Sequence, residues 1–213
     1  MEKVESYPLI TVVIPTYNRA SLIKKAIGSV LVQTHTNLEL IIADDGSADD
    51  TKEVVSSVND PRIKWIGLPH TGHIGKVRNA GALAGKGEWI AFLDSDDEWL
   101  PGKLQCQVEA LRTTGHRWCY TNFELMNEKG ITVVPKAGSY HPHSGRITGK
   151  LLTNEATVVV CTLLVEKKLF DSAGGFSTDE RLAWRGDYEF ALRLSLKEEV
   201  TALPGILVRI LEH

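Results

Sequence analysis

The stretch AFLDSDDEW, residues 91–99, decides the fold because small and apolar residues lead directly into four carboxylates within five positions. Acidic side chains this close together repel one another, so an ordinary fold would avoid the arrangement. If residues 91–93 end a buried strand, the carboxylates lie at its carboxyl end, where open α/β sheets place their ligands. A cation is the partner that such a cluster favours.

The first hundred residues alternate between strand and helix patterns. Residues 9–14 and 38–43 are apolar, β-branched runs typical of buried parallel strands, and residues 22–31 between them have helical apolar spacing. Shorter strands are predicted at 63–66 and 89–93, with a helix between them. The alternation predicts an α/β fold with a Rossmann-like, mostly parallel sheet flanked by helices.

The second half of the sequence is less regular and predicts a mixed portion of the fold. Its predicted elements are helices at 103–112 and 187–196, strands at 118–123, 131–134 and 158–165, and a loop at 136–145. We therefore expect one domain, residues 1–210. Residues 211–213 resemble the start of an expression tag and are left out of the functional argument.

The composition limits the classes of partner. The 213 residues are 43% hydrophobic and 24% charged with a formal net charge of −3, which argues against nucleic acid as a main partner. Three widely separated cysteines suggest neither a disulfide framework nor a zinc site. Without a leader or a spanning helix in its pattern, the chain is expected in the cytoplasm, where peripheral association with the inner face of a membrane is compatible with these features.

Asp94 and Asp96 form an Asp-x-Asp pair around Ser95. In an extended segment alternate side chains point the same way, so two carboxylates can converge on one hard cation such as Mn²⁺ or Mg²⁺. The alternative is a solvated acidic loop in which Asp97 or Glu98 caps the next helix. The triplet alone leaves both interpretations open.

A second acidic strand end is formed by Asp44 and Asp45, followed by Gly46 and Ser47. One carboxylate could accept hydrogen bonds from a nucleobase or a ribose hydroxyl. The alternative is a turn in which Ser47 caps the following helix. Two acidic strand ends at one sheet edge favour ligand binding.

The first predicted strand ends in PTYNR, residues 15–19. Thr16 or Tyr17 could lie against a base and Arg19 could contact phosphate, whereas the alternative is a simple strand-to-helix turn. Further along, Lys76, Arg78 and Asn79 stand in a glycine-rich stretch ahead of a predicted helix, a setting that can hold phosphate. Its glycine spacing matches neither a Walker A loop nor a dinucleotide fingerprint.

Four segments in order carry a resemblance to a known family. TVVIPTYNRA, LELIIADDGSADDT, GKVRNAGALAGKGEWIAFLDSDDEW and GGF followed by RGDYEFALRLS resemble the signature segments of glycosyltransferase family 2, whose members have the GT-A fold. The similarity is dense over residues 9–101 and looser over 158–196. It implies a donor-binding half at about 9–101 and an acceptor half at about 102–210.

The resemblance implies roles for single residues. A nucleotide-diphosphate sugar would be bound by Pro15, Thr16, Tyr17, Arg19, Asp44 or Asp45, and Arg78, and through Mn²⁺ or Mg²⁺ by Asp94 and Asp96, with Ser95 between them. Asp96 is the preferred direct metal ligand. An acceptor subsite would involve Trp99, Trp184 and Arg185, although core packing of either tryptophan is the alternative.

Family members of the inverting kind place the catalytic base in a Glu-Asp pair that follows a Gly-Gly-Phe segment. Here Gly174-Gly175-Phe176 is present, but the pair reads Gly186-Asp187, so the aspartate remains and the glutamate does not. Asp187 is therefore the expected base, and its alternative is an acidic residue stabilised by a helix N-terminus.

The resemblance thus implies a metal-dependent inverting transferase that moves a sugar, expected to be UDP-linked, to the hydroxyl of a saccharide, a lipid-linked compound or another acceptor, in polysaccharide or glycoconjugate biosynthesis. Two alternatives stay open. One is a truncated transferase that binds nucleotide sugar without turnover, and the other is a sugar nucleotidyltransferase.

Overall fold

The computed structural model describes residues 7–127, 129, 132–133 and 141–212. Within these residues the strands are β1 (Ile10–Thr16), β2 (Leu38–Asp44), β3 (Ile63–Gly67), β4 (Trp89–Phe92), β5 (Glu98–Trp99), β6 (Trp118–Met126), β7 (Thr132–Val133), β8 (Leu163–Glu166) and β9 (Thr201–Leu211). The helices are α1 (Ile23–Leu31), α2 (Thr51–Ser56), α3 (Ile74–Ala84), α4 (Lys103–Thr114), α5 (Thr148–Leu152), α6 (Lys167–Ser172) and α7 (Gly186–Lys197).

One mixed sheet organises the described strands. Its order is β3-β2-β1-β4-β8-β6-β9-β5, and β7 pairs with β6. The first four strands are parallel, β8 is antiparallel to both neighbours, and β9 is parallel to β6. The expected α/β class, with a parallel first half and a mixed second half, is confirmed.

The parallel half is the more deeply buried part of the sheet. Every residue of β1 and β2 is buried, as expected for strands covered on both faces. Helix α3 packs against both strands at short range, because Gly81 has no side chain where Val13 lies.

In the part of the chain that is described, no helix has the length and apolar composition needed to span a bilayer.

The predicted strand at residues 158–165 is wrong over its first half. Residues Val160–Thr162 form a 3₁₀ turn, and only Leu163–Glu166 pairs in the sheet. Two carbonyls of the turn bond to side chains instead of a strand, since Trp99 Nε1 donates to Cys161 O at 2.9 Å and Gln107 Nε2 donates to Thr162 O at 2.9 Å. The apolar residues at 158–165 are compatible with a strand and with a 3₁₀ turn, so the sequence pattern does not distinguish the two.

Two neighbouring predictions fall largely outside the described residues. The strand predicted at 131–134 is present as Thr132–Val133, and its flanking positions 131 and 134 are not described. Of the loop predicted at 136–145, residues 136–140 lie outside the described residues. The helix predicted at 187–196 is confirmed, with Phe190, Ala191 and Leu194 buried.

A fully buried lysine lies beneath the mixed half of the sheet. Lys103 Nζ donates to Gln107 Oε1 at 2.7 Å and lies 4.0 Å from the centre of the Trp99 ring. Burial lowers the pKa of Lys103 from 10.5 to about 7. The side chain is held by one amide oxygen, one carbonyl and an aromatic face rather than by a carboxylate.

We expect Gly81→Ala to lower the free energy of unfolding by about 1–3 kcal/mol, because the new methyl group would overpack a filled contact. An added Cβ at Gly81 would lie 2.4 Å from Val13 Cγ1. Gly28→Ala in α1 is the matched control, since a Cβ there meets nothing within 4 Å. It should raise stability by up to about 1 kcal/mol through helix propensity. Denaturant unfolding measures both, and equal effects would contradict this account of α3 packing.

We expect the unfolding free energy to rise between pH 7 and pH 9 through Lys103. The unfolded chain, with the ordinary pKa of 10.5, binds this proton more tightly than the folded chain, whose pKa is about 7. Each pH unit in this window therefore adds at most about 1.4 kcal/mol. Lys103→Met should flatten the profile relative to wild type when urea unfolding is followed at several pH values. Parallel profiles for the two proteins would exclude a buried, perturbed lysine.

Candidate active site

The carboxyl ends of β1, β2 and β4 border a cleft of about 490 Å³. The cleft brings together most of the predicted donor-site residues: Pro15, Thr16, Tyr17, Arg19, Asp45, Asp94, Ser95 and Asp96. It is completed by the loop before α3, through His70, Gly72, His73 and Ile74. Three separate strand ends thus border one concave surface that carries three carboxylates and the guanidinium of Arg19.

The two neighbouring aspartates at the end of β2, Asp44 and Asp45, have different environments. Asp44 accepts hydrogen bonds from Gly46 N at 3.2 Å, from Ser47 N at 3.0 Å and from Ser47 Oγ. Among the described residues, Asp44 does not line the cleft, so the turn interpretation holds for this residue. Ser47 does not cap the next helix, because α2 begins only at Thr51, after Asp50.

Asp45 lines the cleft and orders its wall. Its carboxylate accepts hydrogen bonds from Thr71 N at 2.8 Å, Thr71 Oγ1 at 2.9 Å and Gly72 N at 2.9 Å. The ring of His70 also lies beside it, with Nδ1 donating to Asp45 O at 2.8 Å. Asp45 therefore holds the loop that closes one side of the cleft.

Two rings and an unpaired hydroxyl characterise the wall of the cleft. The rings of Tyr17 and His70 stack, with centroids 4.3 Å apart and planes 22° apart. Thr16 Oγ1 is buried and has no hydrogen-bond partner within the described residues. A buried hydroxyl without a partner is unfavourable unless a ligand satisfies it.

Arg78 lies inside α3, not in a loop ahead of it, because the helix already begins at Ile74. The side chain of His73 caps that helix, accepting a hydrogen bond from Gly75 N at 3.2 Å. Arg78, only 3% exposed, donates from Nη1 to Asp187 Oδ1 and from Nη2 to Asp94 Oδ1, both at 2.7 Å. The predicted base and the first aspartate of the Asp-x-Asp pair thus share one guanidinium.

The charge of Arg78 is secured by its two partners. Burial acts to lower the pKa of the guanidinium, but Asp94 and then Asp187 outweigh it, so the net pKa is raised. The guanidinium therefore stays protonated over the ordinary pH range.

A second cavity of about 630 Å³ adjoins the first and is lined by Asp187, Arg78, Trp184 and Arg185. Gly72 and Ile74 line both. Trp184 is 99% exposed. Asp187 lies in the first turn of α7, as predicted, and its Oδ2 accepts from Val160 N at 3.3 Å.

Trp99 does not belong to an open subsite. It is 2% exposed, packs in the core and donates from Nε1 to Cys161 O. The structure therefore confirms the alternative interpretation, in which Trp99 packs in the core. The alternative helix cap is also wrong, because Glu98 lies in β5 and the cap position of α4 is Gly102.

The acidic cluster divides into an inner and an outer part. Asp97 is buried and accepts from Cys161 Sγ at 2.8 Å, and burial followed by the nearby Asp94 raises the pKa of Asp97 to about 7. Burial also raises the pKa of the Cys161 thiol, which keeps the sulfur protonated. Ligand atoms of Asp94, Asp97 and Cys161 lie within 4.8 Å of one another.

Carboxylate oxygens suit a hard divalent cation, whereas a protonated thiol does not. Asp94 and Asp96 line the cleft with partly exposed carboxylates, with Arg19 Nη2 lying 3.9 Å from Asp96 Oδ2. The outer pair therefore fits Mn²⁺ or Mg²⁺, and the inner pair of Asp97 and Cys161 supports the loop from behind.

Several cleft residues were not predicted from the sequence. His70, His73, Ile74 and Val77 all border the cleft, and no motif in the sequence assigned them to a ligand site. The glycine-rich stretch was the available indication, because it was predicted to precede a helix in a setting that can hold phosphate. Which of its side chains face the cleft depends on where α3 begins.

A protein-family model described as Glycosyl transferase family 2 matches residues 11–172. The chain belongs to this family. It is 35% identical over 136 residues to the UDP-Glc:alpha-D-GlcNAc-diphosphoundecaprenol beta-1,3-glucosyltransferase WfgD of Escherichia coli, covering 62% of this chain and 54% of that protein. It is 36% identical over 127 residues to the succinoglycan biosynthesis protein ExoO of Rhizobium meliloti, covering 60% of this chain and 36% of that protein.

Solved structures share the fold. TarS 1-349 of S. aureus in complex with UDP-GlcNAc superposes with a TM-score of 0.79 at 21% identity, covering 96% of this chain and 58% of that chain. A second TarS structure, in complex with UDP, gives a TM-score of 0.78. The expected GT-A fold is confirmed. The chain spans 54% of the length of WfgD and 36% of the length of ExoO.

Proposed function

We propose that this family 2 chain carries the site of a metal-dependent inverting glycosyltransferase that uses a UDP-linked sugar. One observation carries the proposal: two adjoining cavities share Gly72 and Ile74, Asp94 lines the first and Asp187 the second, and Arg78 donates a hydrogen bond to each of these aspartates. A donor diphosphate in the first cavity and an acceptor hydroxyl in the second would meet beside this arginine. Such a division of space suits direct sugar transfer between two bound substrates.

The first cavity suits a nucleoside. Tyr17 and His70 offer ring faces, the Thr16 hydroxyl lacks a protein partner within the described residues, and Asp45 anchors the adjoining loop. WfgD is named for a UDP-Glc donor, and TarS was solved with UDP and with UDP-GlcNAc. These relatives support UDP as the nucleotide here.

Asp94 and Asp96 would hold Mn²⁺ or Mg²⁺ against the diphosphate, with Arg19 beside Asp96. When bound, the cation would neutralise the diphosphate and so stabilise it as a leaving group. Ser95, between the two aspartates, is buried and also borders the cleft.

Asp187 would act as the general base. Its carboxylate takes the proton of the acceptor hydroxyl as that oxygen attacks the anomeric carbon, and the bond from this carbon to the diphosphate breaks on the opposite face. The electron pair of the broken bond leaves with the diphosphate oxygen. The products are an inverted glycoside, the nucleoside diphosphate and a protonated Asp187, which releases its proton to solvent.

The second cavity suits a saccharide acceptor. The exposed Trp184 can stack on a sugar ring, and Arg185 adds a positive charge next to it. WfgD is named for an acceptor that is a sugar on diphosphoundecaprenol, and ExoO for succinoglycan biosynthesis. We propose a lipid-linked saccharide acceptor in polysaccharide biosynthesis, used at the cytoplasmic face of a membrane.

UDP should bind in calorimetric titrations with Mn²⁺ and lose most of its affinity when a chelator is added. Thr16→Val should weaken UDP binding about five- to tenfold without lowering stability, because the hydroxyl lacks a partner in the free protein. Thr121→Val is the matched control, since Thr121 Oγ1 is also buried and unpaired within the described residues but lies outside the cleft.

Absence of UDP, GDP and TDP binding in the presence of Mn²⁺ would overturn the donor assignment. Equal weakening by the two threonine variants would show that Thr16 acts only on stability. Turnover from a sugar phosphate and a nucleoside triphosphate would instead identify a nucleotidyltransferase.

Asp187→Asn should lower the rate of sugar transfer at least about 100-fold while leaving UDP affinity largely unchanged, because the amide cannot accept the acceptor proton. Asp171→Asn is the control, since Asp171 pairs with Lys167 on the surface of α6. Transfer by the wild type and both variants is measured with a radiolabelled UDP-sugar. Loss of UDP binding in Asp187→Asn would contradict the assignment of Asp187 as the base. If the wild type bound donor but transferred no sugar, the chain would be a non-catalytic binding module.

A further inference from the structure

Resting on this proposed function, we infer that Arg78 is a positioning residue for catalysis rather than a nucleotide ligand. It sets the base Asp187 at a fixed place relative to the metal-side carboxylate of Asp94. Its contribution is therefore to turnover, not to the affinity for UDP.

The two hydrogen bonds of Arg78 go to different carboxylates. Nη1 donates to Asp187 Oδ1 and Nη2 donates to Asp94 Oδ1, each at 2.7 Å. The guanidinium is planar and its terminal nitrogens are a fixed distance apart, so the two bonded oxygens are held at one separation. A lysine ammonium is a single point on a flexible stem and cannot impose this spacing.

The guanidinium is itself immobilised. It is 3% exposed, and its carbon lies 5.3 Å from the centre of the Phe176 ring. The next residue on α3, Asn79, donates from Nδ2 to Phe176 O at 2.9 Å and accepts from Phe176 N at 2.8 Å. Two consecutive residues of α3 thus hold the segment that leads into α7 and the base on α7.

The place of Arg78 argues against direct contact with the nucleotide. Among the described residues it borders the cavity of Asp187 and not the cleft of Tyr17 and Asp45. Both terminal nitrogens already donate to carboxylates. A diphosphate that recruited Arg78 would have to break one of the ion pairs of this buried guanidinium, and Asp94 or Asp187 would lose its partner.

The test compares Arg78→Lys with wild type in two assays, UDP binding by calorimetry with Mn²⁺ and steady-state sugar transfer with varied donor and acceptor. We expect kcat to fall at least about tenfold while the Kd for UDP changes less than about threefold, the pattern of a lost transition-state interaction. Arg62→Lys is the matched control, because Arg62 also pairs with an aspartate, Asp60, at a distance from both cavities. It should leave both quantities unchanged.

If Arg78 had only a structural role, its replacement would lower thermal stability and would weaken UDP binding and turnover alike. If Arg78 positions the base, its replacement lowers kcat while UDP affinity stays nearly the same. A second variant, Arg78→Gln, can donate to only one carboxylate and should show the same split if the lysine variant fails to fold. In the Asp187→Asn background, replacing Arg78 should produce no further loss of transfer.

If the Arg78 variants lost UDP affinity but turned over bound donor normally, the inference would be overturned. Arg78 would then be a nucleotide-binding residue. The same kinetic loss in Arg62→Lys would also overturn it. A wild type that binds no UDP would overturn the proposed function itself, and this inference with it, so the two failures are distinguished before any variant is compared.

Discussion

Parallel pairing of β1 with β2 and with β4 is the constraint on which the site depends. Thr16 lies opposite Asp44 in the register, and Val13 lies opposite Phe92, so the segments that follow the three strands leave the sheet at one edge. Parallel strands cannot be joined by tight turns, so the helices between them run across the faces of the sheet and leave this edge open. The polar residues that follow the three strands therefore come together at this edge, although they are far apart in the sequence.

The same edge faces a problem of charge. Asp94 and Asp187 share one guanidinium, Asp96 borders the same cleft as Asp94, and the buried Asp97 lies close to Asp94. Arg78 pairs with two of the carboxylates, but its single positive charge offsets only one negative charge. The raised pKa of Asp97, about 7, lowers the cost of burying that carboxyl group. What is left is a surplus of negative charge on the cleft side, which is the electrostatic setting that a divalent cation favours.

The second half of the fold serves the first by placing α7. The 3₁₀ turn Val160–Thr162 interrupts what would otherwise be a longer strand, and it contributes Val160 N to Asp187 and Cys161 Sγ to Asp97. The Gly-Gly-Phe segment reaches α3 through Asn79. The Cys161–Asp97 and Asn79–Phe176 contacts join the two halves of the chain, so segments of the second half support both the acidic loop and the helix that carries Arg78.

The sequence by itself determined the α/β class, the four parallel strands, the helix that carries Asp187 and the residue types available for a cation, because each of these follows from local periodicity and from side-chain chemistry. Only the tertiary structure decided which aspartate at the end of β2 faces the cleft, and that Trp99 is buried while Trp184 is exposed. It also decided that Arg78 bonds to both Asp94 and Asp187, the latter 109 positions further along the chain. These outcomes depend on contacts between distant segments. Local periodicity carries no information about such contacts, since the same short pattern is compatible with a buried or an exposed position.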